Sequence, residues 1–570
     1  MCPIPVNTGV FLMANNEIPK TQNAVQLIGP DKLTLNRTKE VTLPGAHQIL
    51  CRVEAVGLCF SDLKLLKQFS SHVRKGEIVS GIEPEILKTI PSYVPGQNPT
   101  VPGHEAVVRV CAVGEGVDNV TVGKRYLVQT DYRWLATTSS NASLGYNFEG
   151  ALQEYVLMDE RVITSPQGEL LLIDASEELS AASIGLVEPW ACVEDAYAVK
   201  EGLGLKPKSK MLVVAESKFD PAVLKKFLAN KYSKIGGVAW VFAQKPKSET
   251  DVPVIRKKNI DDLSDGGFDD ILYFGADPET LESLFPKLAP RGVLNIILCG
   301  GKLGRNVVTP VGRVHYGGIR IIGTTTSDPA DATGRIPHNG EIRRGDKINV
   351  IGAGGPMGMM HVIRNICQGV ENVTVWAGDL DEQRLTTLNK IAKPLAQKNN
   401  INYRPYNPLK DQPNEEISYA VLMVPQARLV GDTVNIAANG AIINIFAGIP
   451  AGDTCQIDLQ RYIEKQMYFI GTSGSTLDDM KMVLQKVESG KLDTNLSVAA
   501  VCGLDGAVEG IRAVESQQIP GKIIVYPSCK KLGLTTLDKL AQQFPEVGNC
   551  LSGGFWNRDA EKKLLEISNR

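Results

Sequence analysis

The sequence predicts an α/β protein of several domains, a β-rich and barrel-like first part followed by two tandem doubly wound βα units, the first of them degenerate. Three observations predict it. Up to about residue 200 the chain carries short alternating apolar runs separated by Gly and Pro, the texture of a β domain. From Lys210 it changes to apolar strand runs alternating with helical stretches, the pattern of a parallel sheet wrapped by helices. That pattern starts again at Lys347, this time with a glycine turn after the first strand.

At 570 residues the chain is too long for one core, and roughly 100 to 200 residues per domain gives three or more. Lys and Arg number 61 against 63 Asp and Glu, a net charge of −2, so no basic field marks the protein for nucleic acid or anionic lipid. Nowhere do about 18 apolar residues run unbroken, so no membrane span is expected. The eleven cysteines are scattered without a C-x-x-C pair, which reads as reduced thiols. Met1-Cys2-Pro3-Ile4-Pro5 lacks the pattern of a secretion signal, and a cytoplasmic location is expected.

In the first part, residues 48–56 and 106–113 alternate as strands do. Between them, residues 62–102 are polar, with His72, Arg74 and Lys75, and read as a solvated loop with a short helix. Substrate selection is the functional alternative for that stretch. Pro102-Gly103-His104-Glu105 sets an imidazole beside a carboxylate at a strand start. With Cys59 and Glu188, these residues offer the sulfur, nitrogen and oxygen donors that zinc takes, and a catalytic zinc keeps one position open beside three protein ligands. The donors are far apart in sequence, so only a fold can join them. Residues 128–150 contain no cysteine, which excludes a four-cysteine structural zinc there and leaves one zinc per chain expected.

In the first βα unit, residues 211–215, 238–242, 270–274 and 293–298 read as buried parallel strands. Its first strand runs into Glu216-Ser217-Lys218-Phe219-Asp220, with no glycine and with two carboxylates where a pyrophosphate would sit, so no dinucleotide is expected here. In the second unit, residues 347–351 enter Gly352-Ala353-Gly354-Gly355-Pro356-Met357-Gly358, then a helix and a strand over 373–377, in the order of a dinucleotide-binding fingerprint. Glycines 352, 355 and 358 fit G-x-x-G-x-x-G better than G-x-G-x-x-G. Asp379, 21 residues after Gly358, is placed to accept the adenosine ribose hydroxyls and to repel a 2′-phosphate, which favours NAD over NADP.

The two units look like copies. Arg291-Gly292-Val293-Leu294-Asn295-Ile296-Ile297 parallels Asn439-Gly440-Ala441-Ile442-Ile443-Asn444-Ile445, and Ile321-Ile322-Gly323-Thr324 parallels Phe469-Ile470-Gly471-Thr472. His315, on the degenerate copy, reads as structural. The expected division is 1–203 for the first domain, 204–327 for the degenerate unit, 328–344 for a linker, 345–474 for the nucleotide unit and 475–570 for a return to the first domain plus a tail. Tail stretches 536–544 and 559–567 have helical periodicity, and their apolar positions need a partner surface.

The spacing G-x-C-x-S-D over residues 57–62, G-H-E over 103–105 and V-E-P over 187–189 resembles the zinc-dependent medium-chain dehydrogenase/reductase family, and within it the polyol (sorbitol-like) dehydrogenases. The match continues through Val113-Gly114-Glu115-Gly116-Val117, Gly150-Ala151-Leu152-Gln153-Glu154-Tyr155 and Gly521-Lys522-Ile523-Ile524-Val525. The resemblance implies a GroES-like β-barrel catalytic domain followed by Rossmann-type units. It implies zinc on Cys59, His104 and Glu105 acting as a Lewis acid on the substrate oxygen, with Glu188 a fourth ligand or a carboxylate holding water. Ser61 would relay the alcohol proton and Asp62 would orient His104. A hydride would pass between the carbinol carbon and the nicotinamide. Arg384, in the polyol dehydrogenase-like run Asp379-Leu380-Asp381-Glu382-Gln383-Arg384-Leu385, joins Gly352, Gly354, Gly355, Pro356, Met357, Gly358 and Asp379 as a cofactor residue. The run from Gly355 to His361 is similar to sorbose-phosphate reductases. The expectation is a zinc- and NAD-dependent oxidoreductase of a polyol, sugar or sugar phosphate, assembled as a dimer or tetramer. The alternative is an NAD-binding regulatory or scaffold protein without turnover.

Overall fold

The computed structural model describes residues 11–12, 18–198, 209–216, 220–229, 235–242, 254–256, 259–472 and 474–568. The chain divides into two compact units, Met1–Cys192 with Ser475–Arg570, and Val193–Gly474.

The first unit is built around strand β1 (Gln48–Gly57), whose Ile49, Val53 and Val56 are buried. After it comes helix α1 (Phe60–Gln68), which buries Leu63, Leu65 and Leu66 and leaves Lys64 and Lys67 in solvent. Strand β2 (Glu105–Val113) pairs antiparallel with β1, Gly57 lying opposite Glu105. The stretch between α1 and β2 has the short helix expected, Pro84–Leu87, and many exposed residues, but it is not solvated throughout. His72 and Lys75 are buried, and the Lys75 ammonium donates to the carbonyls of Val94 and Asn98. The Arg74 N–H donates to His72 Nδ1 at 3.2 Å, and these backbone partners allow the two side chains to be buried, a pairing that periodicity in the sequence does not reveal. Residues 131–137 and 141–143 form a small antiparallel sheet together with Ile78–Ser80. Helices α2 (Ala181–Gly185) and α3 (Val187–Ala198) follow.

The second unit holds two sheets of one topology. In the first copy, β3 (Ser209–Ala215), β4 (Ile235–Phe242), β5 (Val254–Arg256), β6 (Phe268–Phe274) and β7 (Leu288–Ile297) form a parallel sheet. A short strand β8 (Val307–Thr309) and helix α4 (Gly312–Tyr316) lead to the sixth strand, β9 (Arg320–Thr324). The order is β5-β4-β3-β6-β7-β9. The second copy runs β10 (Lys347–Ile351), α5 (Pro356–Cys367), β11 (Thr374–Gly378), α6 (Glu382–Lys398), β12 (Asn402–Tyr406), β13 (Ile417–Leu422) and β14 (Ala437–Ile445). After β15 (Cys455–Ile457) and α7 (Leu459–Glu464) it closes with β16 (Tyr468–Ile470), in the order β12-β11-β10-β13-β14-β16. Both are the doubly wound order 3-2-1-4-5-6. Their central strands are apolar on both faces, as helix-covered parallel strands must be.

The ladders correct one sequence pairing. Leu272 lies opposite Asn295 and Val421 opposite Asn444, so Asn295 corresponds to Asn444 and Arg291 to Gly440, one residue away from the expected match. Arg291 and Gly440 share a left-handed backbone, φ 59° and 65°. The shared glycine letter misled the alignment, whereas strand pairing does not allow a one-residue slip without turning every side chain to the other face. The pairing of Ile321 with Phe469 stands.

In the degenerate copy Ser217, Lys218 and Phe219 lie outside the described residues, but both flanking carboxylates have partners. Tyr273 donates to Glu216 at 2.5 Å, and Asp220 accepts the Ala222 N–H at 2.9 Å. Part of the expected linker is ordered as a short helix, Pro329–Thr333, whose Pro329 carbonyl accepts from Asn295 at 3.0 Å.

The chain returns to the first unit through α8 (Leu504–Ser516) and β17 (Lys522–Val525), which pairs with the end of β1. The tail's partner surface is this same unit. Helix α9 (Arg558–Ser568) buries Leu564 and brings Glu561 to the start of α2, where it accepts the N–H groups of Ala181 at 2.5 Å and Ala182 at 2.9 Å. Tyr526 donates to the same carboxylate at 2.8 Å and accepts from buried Trp556 at 2.9 Å. Among the described residues no helix is long and apolar enough to cross a membrane.

Candidate functional site

Strand neighbours point to opposite faces, so His104 and Glu105 can serve one site only if the backbone turns between them and the preceding segment. Gly103 makes that turn at φ 96°, and a Cβ there would meet Leu152 at 2.8 Å. Cys59 stands at the start of α1, two residues past the end of β1. The Cys59 sulfur, a His104 ring nitrogen and a Glu105 oxygen all lie within 4.8 Å of one another. Glu188, at the start of α3, is not part of this group.

The surroundings hold the three donors from several sides. Asp62 Oδ1 accepts from His104 Nδ1 at 3.2 Å and from the Gly103 N–H at 3.3 Å, and its Oδ2 accepts the Cys59 N–H at 3.1 Å. With Nδ1 so engaged, Nε2 is the ring atom left to face the group. Lys522 donates to Glu105 Oε1 at 2.5 Å and to the Leu58 carbonyl at 2.8 Å. Burial opposes the charge on Lys522, but Glu105 and Cys59 outweigh it and hold the ammonium above its ordinary range. Glu105 Oε2 is buried without a hydrogen-bond partner. Gly57 makes room for it, since a Cβ at that position would lie 2.1 Å from Oε2.

A half-buried thiol beside a buried imidazole and an unpartnered carboxylate oxygen are donors that suit zinc. Ser61 Oγ lies 3.3 Å from the Cys59 sulfur. Burial raises the Glu188 carboxyl to about 7, with His104 opposing and Glu105 and Asp131 adding to the rise. Cys192 donates to it at 3.7 Å.

Sequence reasoning named His72 and Arg74, with substrate selection as the alternative for their stretch, but not Tyr146 in the same wall. The His104 ring lies 5.9 Å from that of Tyr146, which in turn lies 4.9 Å from His72 and 5.7 Å from the Arg74 guanidinium. Arg74 is paired with Asp131 at 2.5 Å. Burial lowers the His72 imidazole to about 4, so it faces Tyr146 as a neutral ring. Lys522 was visible only as a letter in a matching motif.

In the second unit the glycine turn follows β10, and α5 starts at Pro356 with Gly355 as its N-cap. Gly352 has φ 88°, and a Cβ on Gly358 would lie 2.1 Å from the Gly352 carbonyl. A Cβ on Gly354 would meet Arg384 Cβ at 2.6 Å and Asp379 Oδ2 at 3.0 Å, whereas one on Gly355 would meet only the Gly352 carbonyl, at 3.8 Å. The glycines that packing demands are therefore 352, 354 and 358, and not the set 352, 355 and 358 that spacing suggested. Asp379 stands just past β11, its Oδ2 accepting the Gly354 N–H at 2.8 Å and its Oδ1 the Asp381 N–H at 3.0 Å. Arg384 lies in the first turn of α6, its guanidinium 3.6 Å from Asp381. Pro356 and Met357 are half-buried at the start of α5. His361, three residues beyond Gly358, is wholly buried, and Tyr197 donates to its Nδ1 at 2.8 Å. Burial, aided by Arg364, pushes its imidazole down to about 3, so it is a neutral packing residue.

Residues 45–167 match the family model of the alcohol dehydrogenase GroES-like domain. That stretch holds Cys59, His104 and Glu105 and is similar to the catalytic domain of alcohol dehydrogenases. Among curated relatives, the chain is similar to a mannitol-1-phosphate 5-dehydrogenase of Aliivibrio fischeri, 28% identical over 40% of this chain and 59% of the relative. It is also similar to an L-sorbose 1-phosphate reductase of Klebsiella pneumoniae, 25% identical over 55% of this chain and 77% of that protein. The chain thus spans less than two thirds of the first relative's length. Among solved structures it is similar to 2R,3R-butanediol dehydrogenase from Bacillus subtilis, with 15% identity and a TM-score of 0.49 over 89% of this chain and 100% of that one.

Proposed function

We propose that this protein is an oxidoreductase that passes a hydride between NAD(H) and the secondary alcohol or ketone of a polyol, sugar or sugar phosphate. The observation that carries the reading is the convergence of Cys59, His104 and Glu105, with Glu105 Oε2 left unpaired among them. These three residues would hold a single zinc, which when bound supplies Lewis acidity that lowers the pKa of an alcohol. Glu188, outside the trio, would serve as a fourth ligand or hold water or a substrate hydroxyl. Ser61, 3.3 Å from the thiol, would take the hydroxyl proton and pass it outward. Lys522 balances one oxygen of Glu105 and leaves the other for the metal. NAD, when bound, takes or gives the hydride. Gly352, Gly354, Gly355, Pro356, Met357 and Gly358 would present backbone N–H groups to its pyrophosphate at the start of α5. Asp379, with Arg384 beside it, would receive the adenosine ribose and disfavour a 2′-phosphate. The names of the curated relatives, both acting on sugar or polyol phosphates, support that substrate class.

Metal analysis and a screen of polyols and their phosphates for NAD reduction test the reading. The purified protein should carry one zinc per chain, and Cys59→Ser should lose both metal and turnover while still binding NADH. Full turnover by metal-free Cys59→Ser protein would defeat it.

A further inference from the structure

The two βα copies meet in a way that carries a consequence for assembly. The segment from β8 to β9 and the segment from β15 to β16 are related by an offset of 148 residues, since Arg320 and Tyr468 occupy equivalent ladder positions beside Val293 and Ile442. Strands β8 and β15 are equivalents under that offset, and they pair with each other antiparallel as Val307↔Ile457, Val308↔Gln456 and Thr309↔Cys455. The central pair joins a residue to its own counterpart, and the flanking pairs exchange counterparts. That is the signature of a two-fold axis passing through the Val308 and Gln456 pair.

A second, independent set of contacts obeys the same axis. Gly323 on β9 faces Ile463 of α7, where a Cβ would lie 2.6 Å from Ile463 Cγ1. Its counterpart Gly471 faces His315 of α4, where a Cβ would lie 3.0 Å from the His315 Cα. Residues 315 and 463 are themselves counterparts. Val314 and Ile321 of the first copy share one apolar core with Leu459, Tyr462 and Phe469 of the second. Tyr462 ties the copies polarly, donating to the Ile321 carbonyl at 2.7 Å and accepting the Phe469 N–H at 3.1 Å. The sixth strands β9 and β16, which end their respective sheets, lie against each other.

A self-complementary surface in which residue i meets j and the counterpart of j meets the counterpart of i is what two identical subunits form across a two-fold axis. We infer that the copy lacking a glycine turn is a built-in partner for the copy that has one, so the chain carries its own dimer interface and is a monomer in solution. The interface that a second chain would need is filled from within, and both sheet edges at the axis are covered. The degenerate copy has kept the interface residues, Gly323 and His315, while the end of its first strand is occupied by the Glu216–Tyr273 pair. The homo-oligomer expected from sequence is replaced by this internal arrangement.

Two measurements on the full chain test this. Sedimentation equilibrium should give a single species at one chain mass, 61.8 kDa, across a wide dilution range. A two-chain species that persists on dilution would overturn the inference. In the second test, Val308→Cys and Gln456→Cys are combined; Val308 is partly buried and Gln456 exposed, and directly opposed strand residues sit within disulfide reach. Oxidation should give a reducible link within one chain, seen as faster migration on a denaturing gel and absent from either single variant. A link joining two chains, or no link at all, would count against the internal pairing.

Discussion

Asp62 and His104 are joined by a hydrogen bond of 3.2 Å, and the same carboxylate receives the backbone N–H groups of both segments that deliver the donors, Cys59 and Gly103. One side chain thereby fixes the start of α1, the turn before β2 and the orientation of the imidazole. Asp62→Asn keeps an oxygen for one of these donors but turns an amide toward another. Metal affinity is expected to fall by about 10- to 100-fold, the usual cost of losing a partner behind a metal ligand. Competition with a chromogenic chelator measures it, and wild-type affinity would reduce Asp62 to a helix cap.

Asp379 holds the Gly354 and Asp381 N–H groups. Asp379→Ala should weaken NADH binding by about tenfold, about 1.4 kcal/mol, and relax discrimination against NADPH. Fluorescence titration with both cofactors gives the ratio directly. An unchanged ratio would place selectivity at another residue.

Tyr462→Phe removes the hydroxyl that bridges the two copies and leaves the Ile321 carbonyl and the Phe469 N–H buried without it. The expected cost is about 1–3 kcal/mol. A lowered thermal midpoint should appear without loss of zinc, since Tyr462 belongs to the unit that does not hold the donor trio.

Acid should weaken the first unit through an exposed cluster in which Lys67 and Arg512 both bridge Asp31 and Glu515. Hydrogen bonds from Arg512 and Lys67 hold the Asp31 carboxyl below its ordinary 3.8, and Lys67 and Arg512 hold Glu515 below 4.5. Because the folded values lie below the unfolded ones, the contribution is complete above the ordinary values and disappears as pH falls through the lowered ones. Arg512→Ala should therefore lower the melting temperature near neutral pH, and the gap to wild type should close on acidification. A gap that widens in acid would contradict that sign.

The β-rich first part, the repeated βα texture and the residues Cys59, His104 and Glu105 were legible in the sequence, because strand alternation and donor chemistry are local properties of the residues. The glycine turn was legible as a turn, but the identity of its crowded positions was not. Whether Gly354 or Gly355 has no room depends on Asp379 and Arg384 behind it, which only the folded chain brings there. Burial of His72 and Lys75 was equally hidden, since the carbonyls of Val94 and Asn98 that satisfy Lys75 lie about twenty residues away in sequence.

By itself the sequence determined which residues can ligate, turn or cradle, since those capacities reside in side-chain chemistry and in the freedom of glycine at φ values such as the 88° of Gly352. Tertiary structure alone decided which of them meet. It set three donors together with Glu188 outside that trio, gave Lys522 to Glu105, and folded two copies of one pattern against each other. The physical reason is that long-range contacts depend on register and packing, and a shift of one residue, invisible in composition, turns a side chain from one face of a strand to the other.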